Sequence, residues 1–307
     1  MGMLKRATGS VVAAIAAAGY GAAARAADLL GQPTPGAIDM QPSAAPLRTQ
    51  QMFMHNVILL PIVTIIAVFV AALLLWCAFR FNKRANPVPA RFSHNTPIEI
   101  IWTVVPVLIL MFIAIFSFKL LYAFHDMPPP DVTVKATGNQ WYWTYAYPDQ
   151  KVPEYTSNIL PEDKAGHELY RLRADNPMVV PVNKVVRVLT TGADVIHAWT
   201  IPAFGVKIDS VPGKTNQTWF KAERTGTYYG QCSELCGINH AFMPIEVRVV
   251  TQPEFDAWVL SKGGGAAAAA VPASSAATNA AASSAPGASS APANSSAPAA
   301  SAAPAAH

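Results

Sequence analysis

Charge is scarce in this chain. Asp, Glu, Lys and Arg make up 13% of its 307 residues, against roughly 25% in an average soluble domain. Apolar residues reach 52%, a balance that points to membrane-spanning segments. The formal net charge is only +4 and unclustered, so nothing in it argues for a nucleic-acid partner. Cysteine is scarcer still: Cys77, Cys232 and Cys236 are the three. Three thiols make no disulfide scaffold, and the closeness of the last two points to a site. No cysteine follows the amino-terminal apolar run, which gives no sign of a lipoprotein anchor. No Cys-x-x-Cys-His occurs, so the expectation is no haem in this chain.

Residues 1–27 read as a secretory signal peptide. Lys5 and Arg6 form a basic start, Val11 to Ala24 is a small apolar run, and Ala24-Arg25-Ala26 offers a small-residue cleavage site. A third, Ala-rich membrane helix is opposed by the shortness and weak hydrophobicity of the run. Residues 28–125 are expected to hold an amino-terminal loop, to about residue 55, and a transmembrane hairpin with helices at about 57–80 and 98–124. Val57 to Phe79 contains no charge; at about 1.5 Å per residue it spans about 34 Å, enough to cross a bilayer. Pro61 falls near its start, where a missing N–H costs least. Ile100 to Phe118 is a second uncharged run, continuing apolar past Lys119 to Phe124. Helices this long and apolar on every face belong in membranes rather than in soluble cores. Between them lie Arg80, Lys83, Arg84 and Arg91, with no acid before Glu99. The positive-inside rule makes that loop cytoplasmic and everything after residue 125 extracytoplasmic. Cys77, inside the first helix, reads as a buried inert thiol.

Pro128-Pro129-Pro130 breaks the chain before residues 128–262. Short segments rich in Val, Thr, Tyr and Trp follow, at Val132 to Thr137, Gln140 to Tyr147, Met178 to Val182, Val185 to Thr190, Gln217 to Lys221, Thr227 to Gln231 and Ile245 to Val250. Such spacing predicts an all-β sandwich or barrel, closed by a short helix over Gln252 to Lys262. Residues 263–307 are Gly/Ala/Ser/Pro-rich and read as a disordered tail.

The chemistry concentrates in Gly230-Gln231-Cys232-Ser233-Glu234-Leu235-Cys236-Gly237-Ile238-Asn239-His240-Ala241-Phe242-Met243-Pro244. This stretch supplies two thiols, an imidazole and a thioether, and His197 lies upstream in Asp194-Val195-Ile196-His197-Ala198-Trp199. Two thiolates and two imidazoles suit a closed tetrahedral zinc site. They also suit copper, and Met243 favours copper because a thioether is a common weak axial ligand there. A Cys232–Cys236 disulfide is the third option in an oxidising compartment.

The segment from Cys232 to Met243 resembles the binuclear copper loop of cytochrome c oxidase subunit II. His197, the run Gln140-Trp141-Tyr142-Trp143, Tyr228-Tyr229-Gly230-Gln231 and the helix start Glu99-Ile100-Ile101-Trp102-Thr103 are similar to that family as well. The resemblance covers roughly residues 50–260. It implies a two-helix hairpin carrying a cupredoxin-like sandwich, and the secretory-type signal suits a bacterial inner membrane rather than a mitochondrial one. It also implies two copper ions bridged by Cys232 and Cys236, with His197 and His240 binding one each and Met243 and the backbone carbonyl of Glu234 as weak extra ligands. The side chain of Glu234 would bind magnesium or manganese at the boundary with the catalytic subunit; otherwise it is a solvated loop acid. Trp141 would receive the electron from cytochrome c, although Trp141-Tyr142-Trp143 taken bare is a strand with rings facing alternate sides. Trp143 is left to the core. Asp194 and Asp209 match docking acids that would steer a basic cytochrome c, against the plainer reading of solvated charges. Glu99 would stand at the mouth of a proton-uptake path, or serve only as a favourable charge at a helix N-terminus. Partners would be the haem-copper subunit I, where oxygen is reduced to water, and subunit III.

A membrane-tethered copper carrier or assembly protein is the alternative. A carrier needs an open, exchangeable site and has no use for Glu99 or Trp141. A quinol oxidase subunit is opposed by the intact ligand set. Nitrous oxide reductase shares the loop, but this chain is too short for its catalytic domain and has membrane helices that it lacks.

Overall fold

A computed structural model describes residues 30–88 and 90–265. The expected signal peptide and residues 266–307 of the expected tail lie outside the described residues.

Helix α1 (Pro46–Arg80) and helix α2 (Thr96–His125) form the hairpin, with mean hydropathies of 3.1 and 2.7 in their most apolar stretches. Almost nothing in those stretches is buried within the chain, as befits surfaces meant for lipid or other subunits. Cys77 is exposed on α1, which corrects its expected burial: among the described residues, no second helix covers that face. Helix α1 starts about three turns earlier than the apolar run does, which also corrects the expected loop. Pro46 opens it, where a missing N–H is harmless. Its first turns carry the polar run Arg48-Thr49-Gln50-Gln51 because they lie on the β-domain: Leu47 and Arg48 are buried and Gln51 Nε2 donates to Gly205 O at 2.7 Å. Pro61 therefore sits inside a continuous helix. The stretch just before it, Met54–Leu59, is wound as a π-helix, with Leu60 N–H donating to His55 O. The wider turn makes room for the proline ring. At the start of α2, Asn95 Oδ1 accepts from Ile98 N–H and Glu99 Oε1 accepts from Asn95 N–H at 3.1 Å, a reciprocal cap.

The domain that follows is mainly β, with ten strands among the described residues: β1 (Val132–Asn139), β2 (Tyr142–Tyr147), β3 (Val152–Ser157), β4 (Met178–Pro181), β5 (Val185–Gly192), β6 (His197–Ile201), β7 (Val206–Ser210), β8 (Asn216–Lys221), β9 (Gly226–Gln231) and β10 (Pro244–Val250). One sheet runs β3-β2-β1-β5-β8, a second β4-β10-β9, and β6-β7 form a hairpin of their own. Burial alternates strictly along β5, the period expected of a sheet with one face in the core. Trp143, Tyr145, Val188, Trp199, Phe220, Ile245 and Val247 are wholly buried in that core. The expectations missed β3, β6 and β7. Pro153 masks β3, and its place at a sheet edge is where proline is tolerated. A short turn, α3 (Glu162–Ala165), lies in the 158–177 excursion. Helix α4 (Gln252–Ser261) opens on a Thr251–Glu254 capping box and buries Phe255 and Val259.

Candidate metal centre

The loop of interest leaves β9 at Gln231 and returns at Pro244, residues that pair directly across the two strands. Cys232 N–H donates to Met243 O at 3.0 Å and Ser233 N–H to Ala198 O at 3.0 Å, so the loop is closed at its base and tied to β6. His197 opens β6 and is completely buried. It passes over β1 at Gly138, where a Cβ would lie 2.7 Å from the imidazole ring; only glycine leaves space for the ring there.

Cys232 Sγ lies 3.8 Å from His197 Nδ1 and 3.9 Å from Cys236 Sγ. Cys236 Sγ lies 3.5 Å from His240 Nδ1. The donor atoms of His197, Cys232 and Cys236 fall within 4.8 Å of one another. Both cysteines are free thiols, far beyond the roughly 2.05 Å of a disulfide. Glu234 O faces Cys232 Sγ at 3.4 Å, while Glu234 itself is exposed. Met243 is wholly buried. Burial opposes ionisation of Cys232, but hydrogen bonding to His197 and to the backbone at Glu234 and Ala198 brings its thiol down to about 6. Burial, then the charge of Cys232, push Cys236 up to about 12. One thiolate forms readily and resists the second, a conflict that a cation shared by both sulfurs removes.

The orientation of His197 completes the fit. Its Nε2 is 2.8 Å from Asp194 Oδ1, leaving Nδ1 for the sulfurs, and a carboxylate behind an imidazole is the usual support of a metal-binding histidine. Burial lowers the His197 pKa, but Cys232 and Asp194 outweigh it and the net shift is upward. Asp194 also accepts from Gln140 N–H at 2.7 Å and Val195 N–H at 2.6 Å; it is exposed, yet these bonds hold its carboxyl below the usual range against the opposing effect of burial. Two thiols, two Nδ1 atoms and a buried thioether suit copper better than zinc.

Trp141 is half-buried beside the loop, its Nε1–H donating to Cys236 O at 3.2 Å. Trp143 is in the core. Asp209 is exposed on β7, opposite Ala198. Glu99 belongs to the hairpin, at the start of α2. Two contributions escaped sequence reasoning: the carboxylate support from Asp194, and Gln140, whose Nε2–H donates to Cys236 O at 2.8 Å. The only local signal for Gln140 is its position immediately before Trp141.

Residues 132–250 match the family described as cytochrome c oxidase subunit II, periplasmic domain, and residues 33–120 match its transmembrane domain. A cytochrome c oxidase subunit 2 of Cereibacter sphaeroides is 45% identical over 270 residues, 82% of this chain and 88% of that protein. A probable cytochrome c oxidase subunit 2 of Rickettsia bellii is 48% identical over 75% of this chain and 86% of its own. A crystal structure of the periplasmic domain of subunit II of cytochrome oxidase from Bradyrhizobium japonicum is 59% identical, covering 45% of this chain and 96% of that one, with a TM-score of 0.42. The two family matches, the extended identity and the His/Cys/Cys cluster agree: this chain belongs to the cytochrome c oxidase subunit II family.

Proposed function

We propose that this subunit of cytochrome c oxidase accepts electrons from cytochrome c at a binuclear copper centre and hands them to the haem-copper subunit I. The observation that carries this reading is the convergence of His197, Cys232, Cys236 and His240 in one loop-and-strand cluster, with Trp141 bonded to the carbonyl of Cys236. Cys232, Cys236, His197 and His240 would hold the copper, with Met243 and Glu234 O as weak extra ligands, and the bound copper would supply a one-electron store. The surrounding protein supplies rigidity: the loop is stitched at its base, and Asp194 locks His197, so little has to move when one electron arrives. Trp141 offers a half-buried ring between solvent and the Cys236 backbone, which suits it to receive the electron. Asp194 and Asp209 contribute negative charge for docking a basic cytochrome c. The exposed Glu234 carboxylate is free to hold magnesium or manganese toward subunit I. Glu99, at the cytoplasmic end of α2, is placed to admit protons, and subunit III completes the assembly. Residues 1–27 act as a cleaved signal, 28–125 as the anchor in a bacterial inner membrane, 128–262 as the periplasmic copper domain and 263–307 as a tail.

The test is copper loading of the purified chain with metal content and electron paramagnetic resonance read together. Two coppers per chain and a seven-line hyperfine pattern, the count for one electron shared equally by two copper nuclei, are expected. One copper with four lines would favour a mononuclear carrier instead, and zinc alone would remove copper altogether.

A further inference from the structure

The excursion between β3 and β4 has no part in the sites above, yet it is highly organised. Ile159 bridges Ala174, Leu160 N–H donates to Arg173 O at 2.9 Å, and Asn158 N–H donates to Asp175 Oδ1 at 2.8 Å. It is pinned to β10 by an unusual anchor: the buried carboxylate of Glu246 accepts from Ala174 N–H at 2.8 Å. The far end of this excursion reaches the metal loop at Arg171. Its carbonyl accepts from Gln231 Nε2–H at 3.0 Å, next to Cys232. Its guanidinium lies 4.6 Å from the centroid of the Phe242 ring, between His240 and Met243. Arg171 adopts a φ of 70°, a left-handed conformation that a non-glycine residue holds only when its surroundings enforce it.

We propose that Arg171 is a positioning residue that clasps the metal loop from outside, holding its outgoing end through a backbone carbonyl and its returning end through a cation–π contact. The two contacts bracket the stretch from Cys232 to His240, so the clasp limits how far the His240–Phe242 turn can open away from Cys232. Arg171 acts through Gln231 and Phe242.

The clasp is a property of the polypeptide, so its first test needs no copper. Glycine tolerates the left-handed backbone, so Arg171→Gly removes the guanidinium while leaving the carbonyl bond to Gln231 possible. The amides of His240 and Phe242 donate to Gly237 O and Asn239 O, so their hydrogen exchange, read in the full chain, copper-free and in detergent, reports on opening of the turn. Arg171→Gly is expected to speed their exchange about fivefold, with β9 and β10 amides unchanged and Arg171→Lys restoring part of the protection. Wild-type exchange rates at both amides in Arg171→Gly would overturn the proposal. If Arg171→Gly loosens the whole domain, the double-mutant cycle with Phe242→Leu decides: once Phe242 is gone, losing the guanidinium must have no further effect on the turn, and independent effects would overturn the clasp. A second readout rests on the copper reading: loaded Arg171→Gly should release copper to a chelator about fivefold faster. Should the wild-type chain bind no copper, that reading fails while the exchange result still judges the clasp.

Discussion

Asp194 shows how far a residue's surroundings decide its work. In the sequence it is one acid among several near a histidine, and an exposed acid is by default a solvated charge. In the structure its carboxylate meets His197 Nε2 and two backbone N–H groups, which turns His197 Nδ1 toward the sulfurs. The proposed ligands could be picked out together because five of the six lie within one short loop, where chain proximity already implies spatial proximity; the structure brings His197, Cys232 and Cys236 into one cluster. The supporting contacts were not: Asp194 lies only three residues from His197, but nothing local says that its carboxylate turns back to the ring, and Gln140 meets Cys236 only through the tertiary fold. Outer partners of metal-bound histidines are worth about tenfold to a hundredfold in affinity. Asp194→Ala should weaken copper binding by about that range, measured by competition with a chelator, whereas Asp194→Asn, which keeps one acceptor, should lose less. Equal affinity in wild type and Asp194→Ala would mean that His197 is oriented by packing alone.

At the level of elements, the sequence shows the strands that bury alternate residues and hides those placed by neighbours. Strand β5 announces itself by its period. Strands β6 and β7 are short, and what places them is their pairing of His197 with Ser210 through Ile201 with Val206, a contact no local pattern reveals. The early start of α1 was hidden for the same reason, since its polar first turns are helical because they rest on the β-domain. Two glycines separate the demands of fold and site. At Gly230 a Cβ would collide with Thr200 O, a backbone atom of β6 facing β9. At Gly138 the three nearest atoms it would meet all belong to the His197 side chain. Gly230→Ala should therefore cost more than about 3 kcal/mol and impair folding, while Gly138→Ala should cost about 1–3 kcal/mol and mainly displace His197. Urea unfolding alongside copper stoichiometry checks the contrast; a Gly138→Ala chain with full copper content would show that the ring has another place to go.

The whole molecule raises the question of what holds the copper domain on its anchor. One link is covalent and short: α2 ends at His125, and Trp219 Nε1–H donates to Phe124 O at 3.1 Å, seating the domain on the helix end. The other is the segment before α1, which crosses the domain as a strap. Tyr229 N–H donates to Gly31 O at 2.8 Å, Ala44 N–H to Ala203 O at 2.9 Å and Glu223 N–H to Ala44 O at 2.9 Å. Ala44 and Ala45 are wholly buried, and at Gly31 a Cβ would press into Tyr228 and Thr227. Tyr229 lies three residues before Cys232, so the strap supports the strand that carries the metal loop. The strap reads as loop in the sequence because its bonds go to another part of the chain. Three backbone hydrogen bonds at about 1 kcal/mol each give about 3 kcal/mol, or roughly 10 °C in Tm for a domain of this size. A fragment of residues 128–265, lacking the strap, should melt about that much below the domain in the full chain, and adding a peptide of residues 30–45 should raise its Tm in a concentration-dependent way. A fragment that melts with the full chain and ignores the peptide would make the strap a passive tether and leave Phe124 and Trp219 as the working junction.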